Sequence, residues 1–300
     1  MFLGSLQQLR LFEAVARNQS YTRAAEEIHL SQPAVSIQVK RLEEQIGMPL
    51  FEKIGKGIFL TAAGQELYDA CSDMFDRMER LKTRLYDLQG EIAGPLKIGV
   101  VTTAKYILPH LLGEFLQRYP KVEPHLKVSN RERIMERFDE NNDDIYILGH
   151  ADENRQCEDH PFLDDELVIF ASPKHPLAGR NCISLQTLAT ERFLFREEGS
   201  GIRTTFENFL ASHDLSMTPY MELGSGEAIK QAVMANLGIG MLSLFSLSLE
   251  LEANRLVVLD VVDLPIKRKW RVVYPKGKQL SPVAHQFIDF VKETGKDFKP

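Results

Sequence analysis

The sequence predicts an N-terminal all-α winged helix-turn-helix, then a long linker helix, then an α/β domain of two subdomains. Three observations carry that prediction. Two helical periodicities between residues 20 and 46 are separated by a turn too short for anything else. An apolar heptad seam runs from Leu67 to Leu88. After Gly94-Pro95 the chain changes from helix after helix to short β-branched runs alternating with helical patterns. With 300 residues, 44% of them apolar, there is material for about two domains, each with its own core.

The first helix of the pair carries Tyr21, Ala24, Ala25 and Ile28 at i, i+3, i+4, i+7 on one face, with Ser20 as its N-cap. His29-Leu30-Ser31 makes the turn. Ser31 caps a second helix whose first turn accepts Pro33, because the N–H that proline lacks has no helical partner there. Val35, Val39, Leu42 and Ile46 fall within a narrow arc, and Gln32, Pro33, Ser36, Ile37 and Lys40 occupy the opposite one. A glutamine amide, a hydroxyl and a lysine near a helix start suit base edges in a DNA major groove, and Ile37 suits a thymine methyl. The bland alternative is the solvent face of an ordinary bundle. The segment after this helix favours DNA: Phe51-Glu52-Lys53, a tip at Gly55-Lys56-Gly57, and Ile58-Phe59-Leu60 read as a hairpin wing whose Lys53 and Lys56 lie across phosphates. Residues 1–60 hold 7 basic and 6 acidic side chains, and the whole chain, with 36 Lys and Arg against 42 Asp and Glu, carries a net charge of −6. Attraction to a polyanion therefore has to be local, with these cations segregated from Glu26, Glu27 and Glu52.

From Ala62 to Gln89 an amphipathic helix places Leu67, Cys71, Met74, Met78, Leu81, Leu85 and Leu88 at alternating steps of four and three. Such a seam, about three heptads and ~40 Å long, needs a partner helix. Packing on the α/β half is one solution; strict 3.5 periodicity favours a second copy, with Cys71 as a small apolar filler. Two winged modules so held read a two-fold DNA site. The expected domains are 1–60, 61–90 and 91–300.

In the last of these, strands are expected at 96–101, 125–129, 145–149, 167–171, 193–195, 220–223, 239–243 and 270–274, with helices between most of them and largely parallel sheets. Three strand-to-helix junctions carry hydroxyls: Thr102-Thr103, Gly199-Ser200-Gly201 and Gly224-Ser225-Gly226. Free N–H groups at a helix start hold anions, and Lys105 and Arg203, one turn inside two of these helices, add full charges. Each junction alone is equally well ordinary turn and capping chemistry. Together, Thr102, Thr103, Lys105, Ser200, Arg203 and Ser225 point to a cleft for a small anionic effector.

An enzyme is the rival class, and its signatures are missing: there is no G-x-S-x-G, no G-x-x-x-x-G-K-[ST] and no H-E-x-x-H. Asp143-Asp144 and Asp164-Asp165-Glu166 read as solvated acidic runs. Cys71, Cys157 and Cys182 lie far apart without ligand spacing, so buried or inert thiols are expected, and neither a metal nor a cofactor. No run of about 18 apolar residues and no charged leader before a hydrophobic stretch is present, which makes the cytoplasm the expected location and a membrane partner unexpected.

The stretch A-A-E-E-I-H-L-S-Q-P-A-V-S-I-Q-V-K-R-L-E-E-Q-I-G-M-P-L-F-E-K, followed by L-T-A-A-G, resembles the DNA-binding domain of LysR-type transcriptional regulators, and the remainder is similar to that family's effector-binding domain. More narrowly, T-T-A-K-Y from Thr102, G-S-G-I-R from Gly199 and G-S-G-E-A-I-K-Q-A-V-M-A-N-L-G-I-G from Gly224 look like regulators of Rubisco and Calvin-cycle operons. The resemblance implies an effector domain like periplasmic binding proteins, with strands crossing near 159–162 and 265–269, subdomain I at about 95–161 and 268–300, and subdomain II at about 162–267. It implies promoter or operator DNA, RNA polymerase and further copies of the chain as partners, with dimers paired into tetramers. The implied effector is a sugar phosphate or NADPH; the alternative is a regulator of another pathway that answers to a non-phosphorylated carboxylate. The family often has arginine where Lys53 and Lys56 stand, and a polar or basic residue where Ile37 stands, which bears on base preference.

Overall fold

The computed structural model describes residues 4–55, 57–88, 91–150, 155–295 and 298, and within the linker helix it leaves the side chains of 76, 79, 80, 82–84 and 86–88 outside the description. Lys56 and the side chain of Leu88 thus lie outside the described residues. The chain divides into two compact units, Met1–Lys82 and Thr83–Pro300, so the division falls inside the linker helix rather than at its end.

In the first unit, α1 (Leu6–Asn18) opens on a capping box in which the Ser5 hydroxyl accepts from the Gln8 N–H and the Gln8 amide accepts from the Ser5 N–H. α2 (Tyr21–Glu27) is capped by Ser20, and α3 (Gln32–Ile46) by Ser31, with Pro33 in its first turn and Gly47 in the left-handed conformation at its end. The turn between them passes through His29 at φ 57°. Leu11, Ala14 and Val15 of α1, Ala24 and Ala25 of α2, and Val35 and Val39 of α3 form one buried cluster. β1 (Phe51–Ile54) and β2 (Gly57–Leu60) pair antiparallel in the register Phe51↔Leu60 to Ile54↔Gly57. The Glu43 carboxylate pins this hairpin to α3 by accepting from the Leu50 and Phe51 N–H groups, at 2.8 and 3.3 Å.

α4 (Ala62–Leu88) starts against that hairpin. A Cβ on Gly64 would stand 2.0 Å from the Leu50 carbonyl oxygen, so only glycine lets the helix approach so closely. Gly64→Ala is expected to destabilise this unit by ~1–3 kcal/mol, through the backbone shift it forces. In a thermal scan of the full chain the N-terminal transition should fall while that of the α/β unit stays put; an unchanged scan removes the packing argument.

The second unit runs β3 (Gly94–Val101), a 3-10 turn at Thr102–Tyr106, α5 (Leu108–Arg118), β4 (Val122–Ser129), α6 (Arg131–Asp139), β5 (Ile145–Leu148) and β6 (Cys157–Ala171). It continues with α7 (Leu185–Leu188), β7 (Phe193–Arg196), α8 (Gly201–Ala211), β8 (Met221–Leu223), α9 (Gly226–Met234) and β9 (Ile239–Ser243). A 3-10 turn at Leu244–Leu247, α10 (Ser248–Glu252), β10 (Val257–Val258), β11 (Ile266–Pro275) and α11 (Pro282–Thr294) complete it. The strands order as β4-β3-β5-β11-β6-β9-β7-β8, with β10 on β6. β4, β3 and β5 are mutually parallel at one end, and β9, β7 and β8 at the other.

Between these two parallel groups run β6 and β11, paired antiparallel from Cys157↔Pro275 to Leu167↔Ile266. The sheets are therefore not simply parallel, and the two crossing strands are far longer than the expected 167–171 and 270–274. Their length was hidden by charge: Asp164-Asp165-Glu166 and Lys267-Arg268-Lys269 lack the apolar alternation of a strand, and only the resemblance places crossings near 159–162 and 265–269. Across the ladder those charges pair, Asp164 with Lys269 at 2.6 Å, Asp165 with Arg268 at 2.7 Å, and Asp159 with Arg271. Two apolar clusters flank the crossing. Phe162, Leu163 and Trp270 belong to the cluster of β3, β5 and α11, and Leu167 begins the cluster of β7, β9 and α8. The polypeptide thus passes from one lobe to the other between Leu163 and Leu167, a few residues beyond 159–162. Asp165 and Asp143 are buried rather than solvated, the latter held by Arg137 at 2.7 Å.

Candidate nucleic-acid interface and effector cleft

On α3, Val35, Val39 and Leu42 are fully buried, while Gln32, Pro33, Ile37 and Lys40 are exposed and Ser36 is half-buried. Burial of one arc leaves the other as a continuous outward face beginning at the helix N-terminus, where unpaired N–H groups and the dipole favour phosphate. Lys53 on β1 is exposed as well. The acidic neighbours are partly neutralised: Glu27 is held by Arg17 of α1 at 2.6 Å and by Asn18, and the Arg17 hydrogen bond keeps its carboxyl below the usual range. Glu43 is committed to the hairpin. Ile37, 53% exposed in this polar setting, is an apolar tip available for contact.

The seam of α4 splits in two. Leu67, Cys71 and Met74 pack inside the first unit with Leu9, Phe12, Leu42 and Leu50, so half of the expected dimer seam is intramolecular core. The alternation could not distinguish one partner from another, since a heptad stripe packs equally well on α1 and α3 of its own chain. Burial, with the charge of Glu13 added, pushes the Cys71 thiol up to about 11, so it is an inert filler. Cys182, by contrast, is exposed. Met78, Leu81 and Leu85 remain 41, 56 and 52% exposed, an apolar stripe on a helix surface.

In the α/β unit, a cleft is lined by Val101, Thr102, Thr103, Asn130, Arg131, Gly149, His150, Arg196, Ser200, Gly201, Ile202 and Arg268. Apart from Arg268 of β11, these positions lie at or just after the carboxyl ends of β3, β4, β5 and β7, where parallel sheets offer helix N-termini and short loops to a ligand. Thr102, Thr103 and Ser200 are thus brought together. Ser200 is the N-cap residue of α8 yet its hydroxyl makes no capping bond, so the first turn of that helix keeps its donors. Arg196 is buried, bidentate to Glu197 at 2.7 and 2.8 Å, and its Nη2 donates across the cleft to Thr102 Oγ1 at 3.3 Å. Arg131 donates to the His150 carbonyl at 3.1 Å.

Three expected effector residues are elsewhere. Arg203 is held by Glu207 at 2.8 Å and Glu222 at 2.6 Å, and does not line the cleft. Its position one turn into α8 is right, but carboxylates on its own helix and on β8 compete for it. Ser225 accepts from the Ala228 N–H and simply caps α9. Lys105 is exposed, its ammonium 5.0 Å from the Tyr106 ring centroid; Lys230 of α9 lies 5.1 Å from the same ring and pairs with Glu250 at 2.7 Å. The cleft cations are instead Arg131, Arg196 and Arg268. Two of them left a trace in the sequence. Arg196 ends the strand F-L-F-R, and Arg268 shares the parity of Trp270 and Val272 on β11 while Lys267 and Lys269 alternate outward. Among the described residues, no group of three or more His, Cys, Asp or Glu side chains converges as a metal site would, and no helix is long and apolar enough to cross a membrane.

Residues 6–65 match the family model described as bacterial regulatory helix-turn-helix protein, lysR family, and residues 89–296 match that described as LysR substrate binding domain. The RuBisCO operon transcriptional regulator of Allochromatium vinosum is 45% identical over 287 residues, 96% of this chain and 95% of that protein. The HTH-type transcriptional activator CmpR of Synechocystis is 45% identical over 288 residues, again 96% and 95%. Among solved structures, the Synechocystis CcmR regulatory domain in complex with 2-PG matches with a TM-score of 0.65 at 43% identity, covering 67% of this chain and 97% of that one. An OxyR of Corynebacterium glutamicum matches with a TM-score of 0.64 at 23% identity, covering 97% and 92%, a likeness of fold.

Proposed function

The chain belongs to the LysR family of bacterial transcriptional regulators, and from that premise we propose that it controls carbon-fixation genes in response to a small phosphorylated metabolite bound in the α/β cleft. The observation that carries the effector reading is the cleft itself: the hydroxyls of Thr102, Thr103 and Ser200, an open helix start and the arginines Arg131, Arg196 and Arg268 converge on it. The relatives that regulate RuBisCO operons and the CcmR domain in complex with 2-PG support the same chemistry. The effector is 2-phosphoglycolate or a compound of its kind. A gel shift with the DNA upstream of carbon-fixation genes, with and without 2-phosphoglycolate, tests the reading. A response to simple carboxylates alone selects a regulator of another pathway.

DNA is read by the outward face of α3, Gln32, Pro33, Ser36, Ile37 and Lys40, while the wing, with Lys53 and Lys56, holds phosphates. Gln32→Ala or Ser36→Ala should cost on the order of 1–3 kcal/mol and relax preference at one position of the operator. Lys53→Ala should weaken all DNA alike and reduce the salt slope by about one. A gel-shift series in which Gln32→Ala and Ser36→Ala leave affinity and preference untouched removes this face from the assignment. The exposed stripe Met78, Leu81 and Leu85 joins two copies, and dimers pair into tetramers. Such an assembly works beside RNA polymerase at promoters, in the cytoplasm, and carries out no catalysis of its own.

A further inference from the structure

We infer that Arg268, on the crossing strand β11, is the residue by which the cleft selects a phosphate monoester over a carboxylate of similar size. This role rests on the proposed effector cleft and assigns the donor that gives it specificity.

The Arg268 side chain is only 8% exposed, and its Nη2 is buried without a hydrogen-bond partner. A buried guanidinium donor left unpaired is costly, and an oxygen acceptor entering the cleft beside it would remove that cost. The rest of the side chain is fixed. Its Nε donates to Asp165 Oδ2 at 2.7 Å, and Asp165 Oδ1 accepts from the Ser243 hydroxyl at 2.6 Å. The guanidinium lies 5.0 Å from the Trp270 ring centroid. At Gly149 the backbone comes so near that a Cβ would stand 2.6 Å from Nη1. The donor is therefore held in place before any ligand arrives, and little order has to be created on binding.

Direction decides what it selects. Besides Arg131 and Arg196, which already donate to the His150 carbonyl and to Glu197 and Thr102, donors reach the cleft from three elements: the hydroxyls of Thr102 and Thr103 after β3, the start of α8 at Ser200 and Gly201, and Arg268 from β11. A carboxylate has two oxygens in one plane and satisfies donors from two of these directions. A phosphate monoester has three terminal oxygens arranged tetrahedrally and accepts from all three, with a charge near −2 to match.

The test is calorimetry on the full chain with 2-phosphoglycolate, with succinate as its nearest dicarboxylate analogue, and with inorganic phosphate. The wild type should bind 2-phosphoglycolate at least roughly tenfold more tightly than succinate, the size expected for charged hydrogen bonds. Arg268→Lys keeps the charge and the Asp165 pair but loses the fork. Gly149→Ala keeps Arg268 and displaces its guanidinium. Both should remove most of that preference by weakening 2-phosphoglycolate and inorganic phosphate while leaving succinate within about twofold. Preference retained in both variants, with Thr102→Ala weakening both organic ligands, overturns the assignment of Arg268 and leaves the cleft standing. A wild type that prefers succinate, or binds none of the three, overturns the effector reading along with it.

Discussion

Leu81→Asp is expected to lower operator affinity by at least about a hundredfold while leaving the fold of both units intact. The expectation comes from the different surroundings of the two halves of α4. Cys71 is buried, and Leu67 and Met74 are partly buried, against Leu9, Phe12 and Leu42, but Leu81 is 56% exposed in a line with Met78 and Leu85. In a paired helix Leu81 meets its own symmetry mate or the residue beside it, so aspartate places two unpaired carboxylates in an apolar seam, a loss of ~3–5 kcal/mol or more. At about 1.4 kcal/mol per factor of ten, that is about two to three and a half orders of magnitude in pairing, and a two-fold operator bound by single modules loses a comparable factor. Leu67→Asp serves as the contrast. It strikes the intramolecular half of the stripe and should unfold the first unit, seen as loss of helix signal, where Leu81→Asp should not. Sedimentation and gel shifts on a full palindrome and a half-site separate the two, and wild-type palindrome affinity in Leu81→Asp would show that the stripe does not join DNA-binding modules.

The contrast between Leu67 and Leu81 also shows how far the sequence could be read. Periodicity finds which residues share a face; it does not say what covers that face. The helix-turn-helix was legible because its signals are local: Ser20 and Ser31 at helix starts, Pro33 in a first turn, Val35, Val39 and Leu42 on one arc. The crossing strands were not, because their stability comes from partners about a hundred residues away. Asp164 and Lys269, or Asp165 and Arg268, read separately as solvated charge and only together as a ladder. The cleft shows the same limit. Thr102, Thr103 and Ser200 could be named from strand-to-helix junctions, since that chemistry is written within a few residues. Whether a nearby cation turns inward depends on competitors: Arg203 meets Glu207 and Glu222 and is lost to the site, whereas Arg268 has one carboxylate for Nε and leaves Nη2 unpaired.

The second large effect concerns coupling between ligand and DNA, and Thr102 and Arg203 frame it. If the effector changes operator affinity by some factor, DNA must change effector affinity by the same factor, typically about 5–150-fold in coupled systems. Thr102 is placed to carry part of this, because its Oγ1 accepts from Arg196 Nη2 and so spans the two lobes of the cleft. Thr102→Ala removes that acceptor and, on the proposed effector reading, a donor to the ligand. It should weaken 2-phosphoglycolate by about tenfold or more, abolish the change in gel-shift affinity at effector concentrations that saturate the wild type, and leave effector-free operator binding within about twofold. Arg203→Ala should do the reverse of what its place in α8 suggests. It frees Glu207 and Glu222 on a partly exposed surface and costs some stability, yet the effector response persists. Calorimetry of effector binding with and without operator DNA, run on both variants, decides the matter. A response lost in Arg203→Ala and kept in Thr102→Ala would move the effector out of the cleft altogether. A wild type that binds effector tightly, with identical affinity in the presence and absence of operator, would mean that the ligand has no differential hold on the two states and that no switch operates through it.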